Sequence, residues 1–228
     1  MVSDLKIVGD RCRLVTFINP YSYLILRKNG LLEQVRDNFQ VCYDGISLVL
    51  LSRIFGGRRQ RESFDDTSLA PMIFEDAKLF SRKIGIIGGR KDVVIRSRDI
   101  INRKYDDIVR FSFDGYLTER EVDSAIKDLA ECYYVICSMG TPRQELLLLK
   151  LKEFGWQGDG FTCGGYLDQL TYANGNEYYP KIFNRLNLRW LYRLYKEPRR
   201  LWRRYLIDYP MGMFFFVIDG YSRNFNDY

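Results

Sequence analysis

Short apolar runs that end on Gly, Asn, Asp or Pro, each followed by a helix-length segment, recur along this chain. No other feature restricts its fold as much. Residues 15–18 meet Asn19-Pro20, and residues 40–43 meet Asp44-Gly45. Residues 83–87 meet Gly88-Gly89, and residues 108–113 meet Asp114-Gly115-Tyr116. Residues 133–137 meet Gly140-Thr141-Pro142, and residues 160–163 meet Gly164-Gly165. Helical patterns fill the gaps: 21–39 with a break near Gly30, 46–55, 67–81 with Pro71 in its first turn, 92–104, 118–130 and 143–154. Thr118 and Glu121 form a capping-box signature at the start of one of them. The alternation predicts an α/β domain with a Rossmann-like, mainly parallel sheet and helices on both faces.

Near residue 181 the pattern changes. Residues 187–196 read as a helix, and Pro198 ends it while suiting the first turn of the next. From Arg185 to Arg204 eight Lys or Arg residues stand against one acid, Glu197, so this stretch carries +7 and the rest of the chain, net +6 overall, is nearly neutral. The expected organisation is an α/β body over 1–180 and a basic, aromatic-rich helical appendage over 181–228. Residues 211–218 are apolar but far short of the roughly 20 that cross a bilayer. No signal-peptide pattern is visible at the N-terminus.

The chain has no histidine. That excludes Ser-His-Asp and Cys-His chemistry, His-ligated metal and His proton shuttles. Acid–base work falls to Asp, Glu, Lys, Tyr or Cys. The five cysteines are odd in number, include no C-x-x-C pair and read as reduced, buried thiols, with Cys163 beside two glycines the one to watch.

In parallel α/β sheets, ligands bind beyond the carboxyl ends of the strands. This chain lines those ends with small and polar residues, which suits a nucleotide-type ligand, since glycine lets backbone N–H groups approach a phosphate. Neither G-x-G-x-x-G after a strand nor a Walker A lysine pattern is present. Asp44 follows an apolar strand and is the leading candidate for a base, although spacing alone favours a cap for the helix that begins at Ile46. Arg61, Asp65 and Asp66 form a polar loop cluster, and Gln144 and Glu145 open a helix after Pro142. Arg189, Arg193 and Lys196 share one helical face, with Arg200, Arg203 and Arg204 on the next segment and Trp190, Tyr192, Tyr195, Trp202 and Tyr205 interleaved. Such a surface suits the headgroup zone of a membrane, and also nucleic acid.

Taken in order, these landmarks resemble the WecG/TagA/CpsF glycosyltransferases, glycosyltransferase family 26. The resemblance covers residues 16–205. It rests on Asn19, Asp44-Gly45-Ile46, Arg61 with Asp66, Ile86-Ile87-Gly88-Gly89, Gly115-Tyr116-Leu117, Gly140-Thr141-Pro142-Arg143-Gln144-Glu145, Gly164-Gly165-Tyr166-Leu167-Asp168 and the run from Leu188 to Arg200. It implies an inverting enzyme, metal-independent and without a cofactor. Such an enzyme moves a sugar from a UDP-sugar to a saccharide on a polyprenyl diphosphate, at the cytoplasmic face of the cell membrane. The pathways implied are exopolysaccharide, capsule or wall-polymer assembly.

By the resemblance, Asp44 is the base, and Gln144, Arg193, Arg200 and Arg203 complete the catalytic set. Asn19, Arg61, Asp66, Gly88, Gly89, Gly115, Tyr116, Gly140, Pro142, Glu145, Gly164, Gly165 and Asp168 are the substrate-binding positions it implies. Nucleic acid is not an expected partner, and a homo-oligomer is compatible with the pattern. A nucleic-acid-binding protein using the basic segment and a non-catalytic UDP-sugar binder are the alternatives. The chain departs from the family pattern at Phe64, where Gly is usual, at Tyr178-Tyr179-Pro180, where Arg-Ala-Pro is common, and at Arg189, where Glu is usual.

Overall fold

The computed structural model describes residues 12–54, 60–176, 178–180, 182–183 and 188–222. Residue 55, at the end of one expected helix, and residue 187, at the start of another, lie outside that set. The elements run β1 (Leu14–Ile18), α1 (Pro20–Lys28), α2 (Leu32–Asn38), β2 (Phe39–Tyr43), α3 (Ile46–Ile54), α4 (Leu69–Leu79), β3 (Ile84–Gly88), α5 (Lys91–Tyr105) and β4 (Val109–Phe113). They continue with α6 (Glu119–Leu129), β5 (Tyr134–Ser138), α7 (Arg143–Glu153), β6 (Asp159–Thr162) and α8 (Tyr166–Tyr172). The C-terminal segment holds α9 (Arg189–Lys196), α10 (Pro198–Arg203), a π-helical turn (Arg204–Asp208) and α11 (Tyr209–Ser222).

The strands form one six-stranded parallel sheet in the order β2-β1-β6-β5-β3-β4, with helices around it. The α/β expectation holds. The helix expected over 21–39 is two helices, because the chain turns at Asn29-Gly30, where Gly30 takes φ +68°. The predicted capping box is in place: Glu121 Oε2 accepts from the Thr118 amide at 2.8 Å and from its hydroxyl at 2.7 Å.

Two compact units share the chain. One comprises residues up to Thr16, Arg36–Gln40 and Phe64–Tyr178; the other comprises Phe17–Val35, Val41–Ser63 and the residues from Tyr179 onward. The C-terminal segment thus groups with two stretches from the first 63 residues, rather than standing alone.

The first unit has an aliphatic core. Ile84, Ile86, Ile87, Val135, Ile136 and Phe161 are buried in strands covered on both sides, which is why these strands read as continuous apolar runs. Phe64 joins this core through an aromatic cluster with Phe161 (5.7 Å between ring centroids), Tyr166 (5.5 Å) and Phe74 (6.4 Å). A residue that departs from the family pattern is here a packing residue.

The second unit is held by aromatic and charged contacts. Phe216 of α11 meets the edges of Tyr23 (5.2 Å) and Tyr43 (5.8 Å). The Tyr23 hydroxyl donates to Asp219 at 2.5 Å, and Arg27 Nε pairs with the same carboxylate at 2.8 Å. Burial, then the bond to Asp219, holds the Tyr23 phenol far above its ordinary range, so it stays a donor. Gly212 lets α11 lie against α1: a Cβ there would run into the Pro20 carbonyl.

Ile207, Met211, Phe214 and Ile218 are left exposed along this segment, with Phe214 at 61%. Among the described residues no helix is long and apolar enough to cross a membrane.

Candidate functional site

The expected site residues fall into two clusters, one in each unit. In the first unit the carboxyl ends of β3, β4, β5 and β6 meet in a rim of backbone turns. Gly89 N donates to the Ser138 carbonyl at 3.2 Å, and Gly115 N donates to the Gly89 carbonyl at 2.8 Å. Cys163 N donates to the Cys137 carbonyl at 2.8 Å, and the Ser138 hydroxyl donates to the Gly164 carbonyl. Gly88 takes φ +140°, and a Cβ on it would collide with the Ser138 backbone, so no other residue fits. Gly140 and Gly164 also have positive φ, at +74° and +56°, but open space surrounds both. That openness is what a backbone surface needs to meet a phosphate.

Gln144 and Glu145 brace this rim from inside. They sit in the first turn of α7, 3% and 1% exposed. Gln144 Nε2 donates to Glu145 Oε1 (3.0 Å) and Thr141 Oγ1 (3.3 Å), while its Oε1 accepts from Gly164 N (3.2 Å). The amide thus ties the β5–α7 turn to the β6–α8 turn. Glu145 Oε1 also accepts from the hydroxyls of Thr16 (3.0 Å) and Thr141 (3.2 Å), and Thr16 shares a hydrogen bond with Thr162 (3.0 Å). Glu145 Oε2 is buried with no hydrogen-bond partner among the described residues. Burial is the largest influence on this carboxyl and raises it above the ordinary range, against the pull of four donors: Gln144, its own backbone amide, Thr16 and Thr141.

Thr16 and Thr162 were not singled out in the sequence. Their only signal is a hydroxyl in an otherwise apolar strand.

Asp66 accepts from the Tyr166 hydroxyl at 2.8 Å, closing the loop before α4 onto the start of α8. Tyr116 is exposed at the rim, Asp168 is exposed in the first turn of α8, and Pro142 precedes α7 after a cis peptide bond. Burial pushes the Cys132 thiol up to about 12, so it is a neutral, inert side chain. Cys163 is half-buried beside the glycine turn.

The second cluster belongs to the second unit. Asp44 sits at the carboxyl end of β2, half-buried, its amide donating to the Ile18 carbonyl at 2.8 Å. Tyr179, 8% exposed, feels Asp44, Arg193, Arg189 and Tyr205. Tyr209 feels Tyr205, Arg204, Asp44 and Arg193. Both phenols are held well above their ordinary range, burial being the largest cause, so each presents an O–H and not a phenolate. Asp44 and Arg193 thus both act electrostatically on these two phenols.

The two remaining departures from the family pattern also meet here, since the Arg189 guanidinium lies over the Tyr179 ring at 5.0 Å. Tyr179 and Tyr209 were missed as site residues because aromatic residues crowd this segment and nothing in their spacing marks these two.

Other expected residues are placed differently. Asn19 caps α1: its Oδ1 accepts from the amides of Tyr21 and Ser22 at 3.1 Å, and the Ser22 hydroxyl answers the Asn19 amide at 2.7 Å. Arg61 donates to the Ser63 hydroxyl at 3.2 Å and bridges to Tyr43 through the backbone. Arg203 is exposed at the end of α10. Arg200 lies on α10, with its side chain outside the described set. Among the described residues no three Cys, Asp or Glu side chains converge as a metal cage requires.

The model of the glycosyl transferase WecG/TagA/CpsF family matches residues 3–225. The chain is similar to a UDP-Gal:alpha-D-GlcNAc-diphosphoundecaprenol beta-1,4-galactosyltransferase of Shigella boydii, with 34% identity over 218 residues, covering 93% of this chain and 89% of the relative.

Proposed function

The chain belongs to the WecG/TagA/CpsF family of glycosyl transferases, and on that premise we propose that it transfers a hexose from a UDP-sugar to a saccharide on a polyprenyl diphosphate. Galactose is the first donor sugar to test, given the activity named for the Shigella boydii relative. The reading places the reaction at the cytoplasmic face of a membrane, in the assembly of an exopolysaccharide, capsule or wall polymer.

The observation that carries it is a carboxylate and a guanidinium, Asp44 and Arg193, both acting on the phenols of Tyr179 and Tyr209. In one step Asp44 takes the proton of an acceptor hydroxyl, and that oxygen bonds to the anomeric carbon. The bond from that carbon to the diphosphate breaks, and its electron pair leaves on the UDP oxygen. A single displacement inverts the anomeric centre. Arg193 offsets the charge that grows on the diphosphate, the task a metal ion performs elsewhere. Arg200 and Arg203 are assigned the same role on family grounds.

Each unit offers its own chemistry. The first unit has open backbone turns, at Gly140 and Gly164, of a kind that can meet a phosphate. Gln144 and Glu145 hold those turns. The second unit supplies the base and the cations. Its exposed Ile207, Met211, Phe214 and Ile218, beside exposed Arg199, Arg203 and Trp202, suit a lipid surface better than nucleic acid, which has no use for an aliphatic stripe.

The test is UDP release by the purified protein from UDP-galactose, UDP-glucose, UDP-N-acetylglucosamine and UDP-N-acetylmannosamine. Each donor is offered with and without N-acetylglucosaminyl diphosphoundecaprenol, with and without EDTA. Acceptor-dependent release that survives EDTA is the expected result. Release abolished by EDTA and restored by a divalent metal would overturn the metal-independent mechanism. Silence across the panel, with no binding of UDP, would overturn the transferase reading.

A further inference from the structure

Arg204 opens the π-helical turn that joins α10 to α11. Its guanidinium lies over the Tyr21 ring, 4.2 Å from the centroid, and its Nε is buried without a hydrogen-bond partner among the described residues. Four residues on stands Asp208, the spacing at which an α-helix pairs an arginine with an acid. The π turn removes that pairing. The amide of Tyr209, five residues on, donates to the Arg204 carbonyl. Tyr209 therefore stands over Arg204 where Asp208 would stand in an unbroken helix, and no described acid forms an ion pair with Arg204. Its charge bears instead on the Tyr209 phenol, the group that Asp44 and Arg193 also influence.

A guanidinium drawn partly out of water against an aromatic ring, and kept from the acid nearest in sequence, is stabilised by an incoming anion. Two guanidinium groups that act on one phenol suit an anion with several oxygens, which is what a diphosphate is.

We propose that Arg204 is a substrate contact, a further guanidinium for a diphosphate, which the π-helical turn keeps available. The inference rests on the functional reading above. It differs from the family assignment, which falls one residue earlier on the exposed Arg203. The diphosphate belongs either to the UDP-sugar or to the lipid-linked acceptor, and the kinetics separate the two.

The experiment compares full-length wild type with Arg204→Gln, Arg204→Lys and Tyr21→Leu. Calorimetry reads binding of UDP and of inorganic pyrophosphate. Steady-state transfer is measured with donor and acceptor varied in turn, and thermal melting controls for folding. Arg204→Gln is expected to weaken pyrophosphate binding by about tenfold to a hundredfold, the worth of a charge-assisted contact. Arg204→Lys is expected to recover part of that loss, and Tyr21→Leu, which keeps the charge, to lose less. A rise in KM confined to the UDP-sugar assigns the donor's diphosphate, and a rise confined to the acceptor assigns the lipid's; either supports the proposal.

Wild-type pyrophosphate affinity with both KM values unchanged in Arg204→Gln would overturn it. So would equal losses in Arg204→Gln and Tyr21→Leu with lowered melting temperatures, which would make Arg204 a packing residue. A wild type that transfers while Arg204→Gln matches it defeats this inference alone. A wild type that neither transfers nor binds UDP defeats the functional reading beneath it.

Discussion

The two units achieve rigidity by opposite means, and their candidate chemistry follows from the difference. The first is built on aliphatic strands buried on both sides, and what it offers a ligand is backbone. Its polar side chains, Gln144, Glu145, Thr16 and Thr162, are spent on one another. The second is held by rings and ions, with Tyr23, Tyr43 and Phe216 edge to face and Arg27 on Asp219. What it offers is charge, at Asp44, Arg193 and Arg204. A parallel sheet can hold a shaped backbone surface because its turns are fixed by neighbouring strands. Charged groups need polarisable neighbours that lower the cost of partial burial, and phenols supply them.

That comparison is tested first at the base. Asp44→Asn is expected to lower transfer by about 10²- to 10⁴-fold, the range of a lost general base, while UDP binding and the melting temperature stay close to wild type. Acceptor-dependent UDP release measures it. Turnover near wild type would move the base elsewhere.

A smaller, purely structural contrast lies within the rim. Gly88→Ala forces a side chain into the Ser138 backbone and is expected to cost more than about 3 kcal/mol, as a clash added to an unfavourable φ. Gly140→Ala has the same kind of φ but open space, and is expected to cost only about 1–2 kcal/mol. Denaturant titration of both variants decides. Equal losses would mean that the rim is not fixed by close approach.

The third test concerns the brace. Glu145 has its carboxyl raised by burial, so the folded state holds its proton more tightly than the unfolded chain does. Its contribution is present in full below the unfolded value and is lost as pH rises through the folded one. Glu145→Gln should therefore flatten a decline in stability between about pH 4.5 and the higher pH at which the buried carboxyl ionises. Melting curves taken from pH 4 to 8 read this slope. An unchanged slope would show that the four donors outweigh burial.

The smallest effect is expected at the surface of the second unit. Phe214 is 61% exposed, so Phe214→Ser should change stability by no more than about 0.5 kcal/mol. It should still weaken sedimentation with anionic vesicles several-fold, because an interfacial helix binds through its apolar side chains. Undiminished vesicle binding would leave the arginines as the whole of the attraction.

Much of this was legible beforehand. Strand and helix positions follow from local chemistry: where an apolar run meets glycine, as at residues 84–89, strand and turn are set within a residue or two. The Thr118 box is a local event too, since capping depends on near neighbours. Asn19 shows the limit, because the same residue serves a substrate or a helix cap with no change in its surroundings along the chain. The brace around Glu145 was hidden for a different reason. Its donors come from positions 16, 141 and 144, and no spacing rule links residue 16 to residue 145.

By itself, then, the amino-acid sequence determined the alternation of elements, the parallel sheet, the concentration of charge near the C-terminus and the family. Each of these is carried by residues within a few positions of one another or by motifs that occur in order. Only the tertiary structure decided that residues 17–35, 41–63 and those from 179 onward form one unit. It also decided that Arg204 lies over the Tyr21 ring with its Nε buried while Arg203 is exposed. The physical reason is the same for both. A unit gathered from distant stretches exists only through packing, here α11 on α1 at Gly212. One extra residue in a helical turn rotates every side chain before it by about 100° against those after it, which composition and spacing do not record.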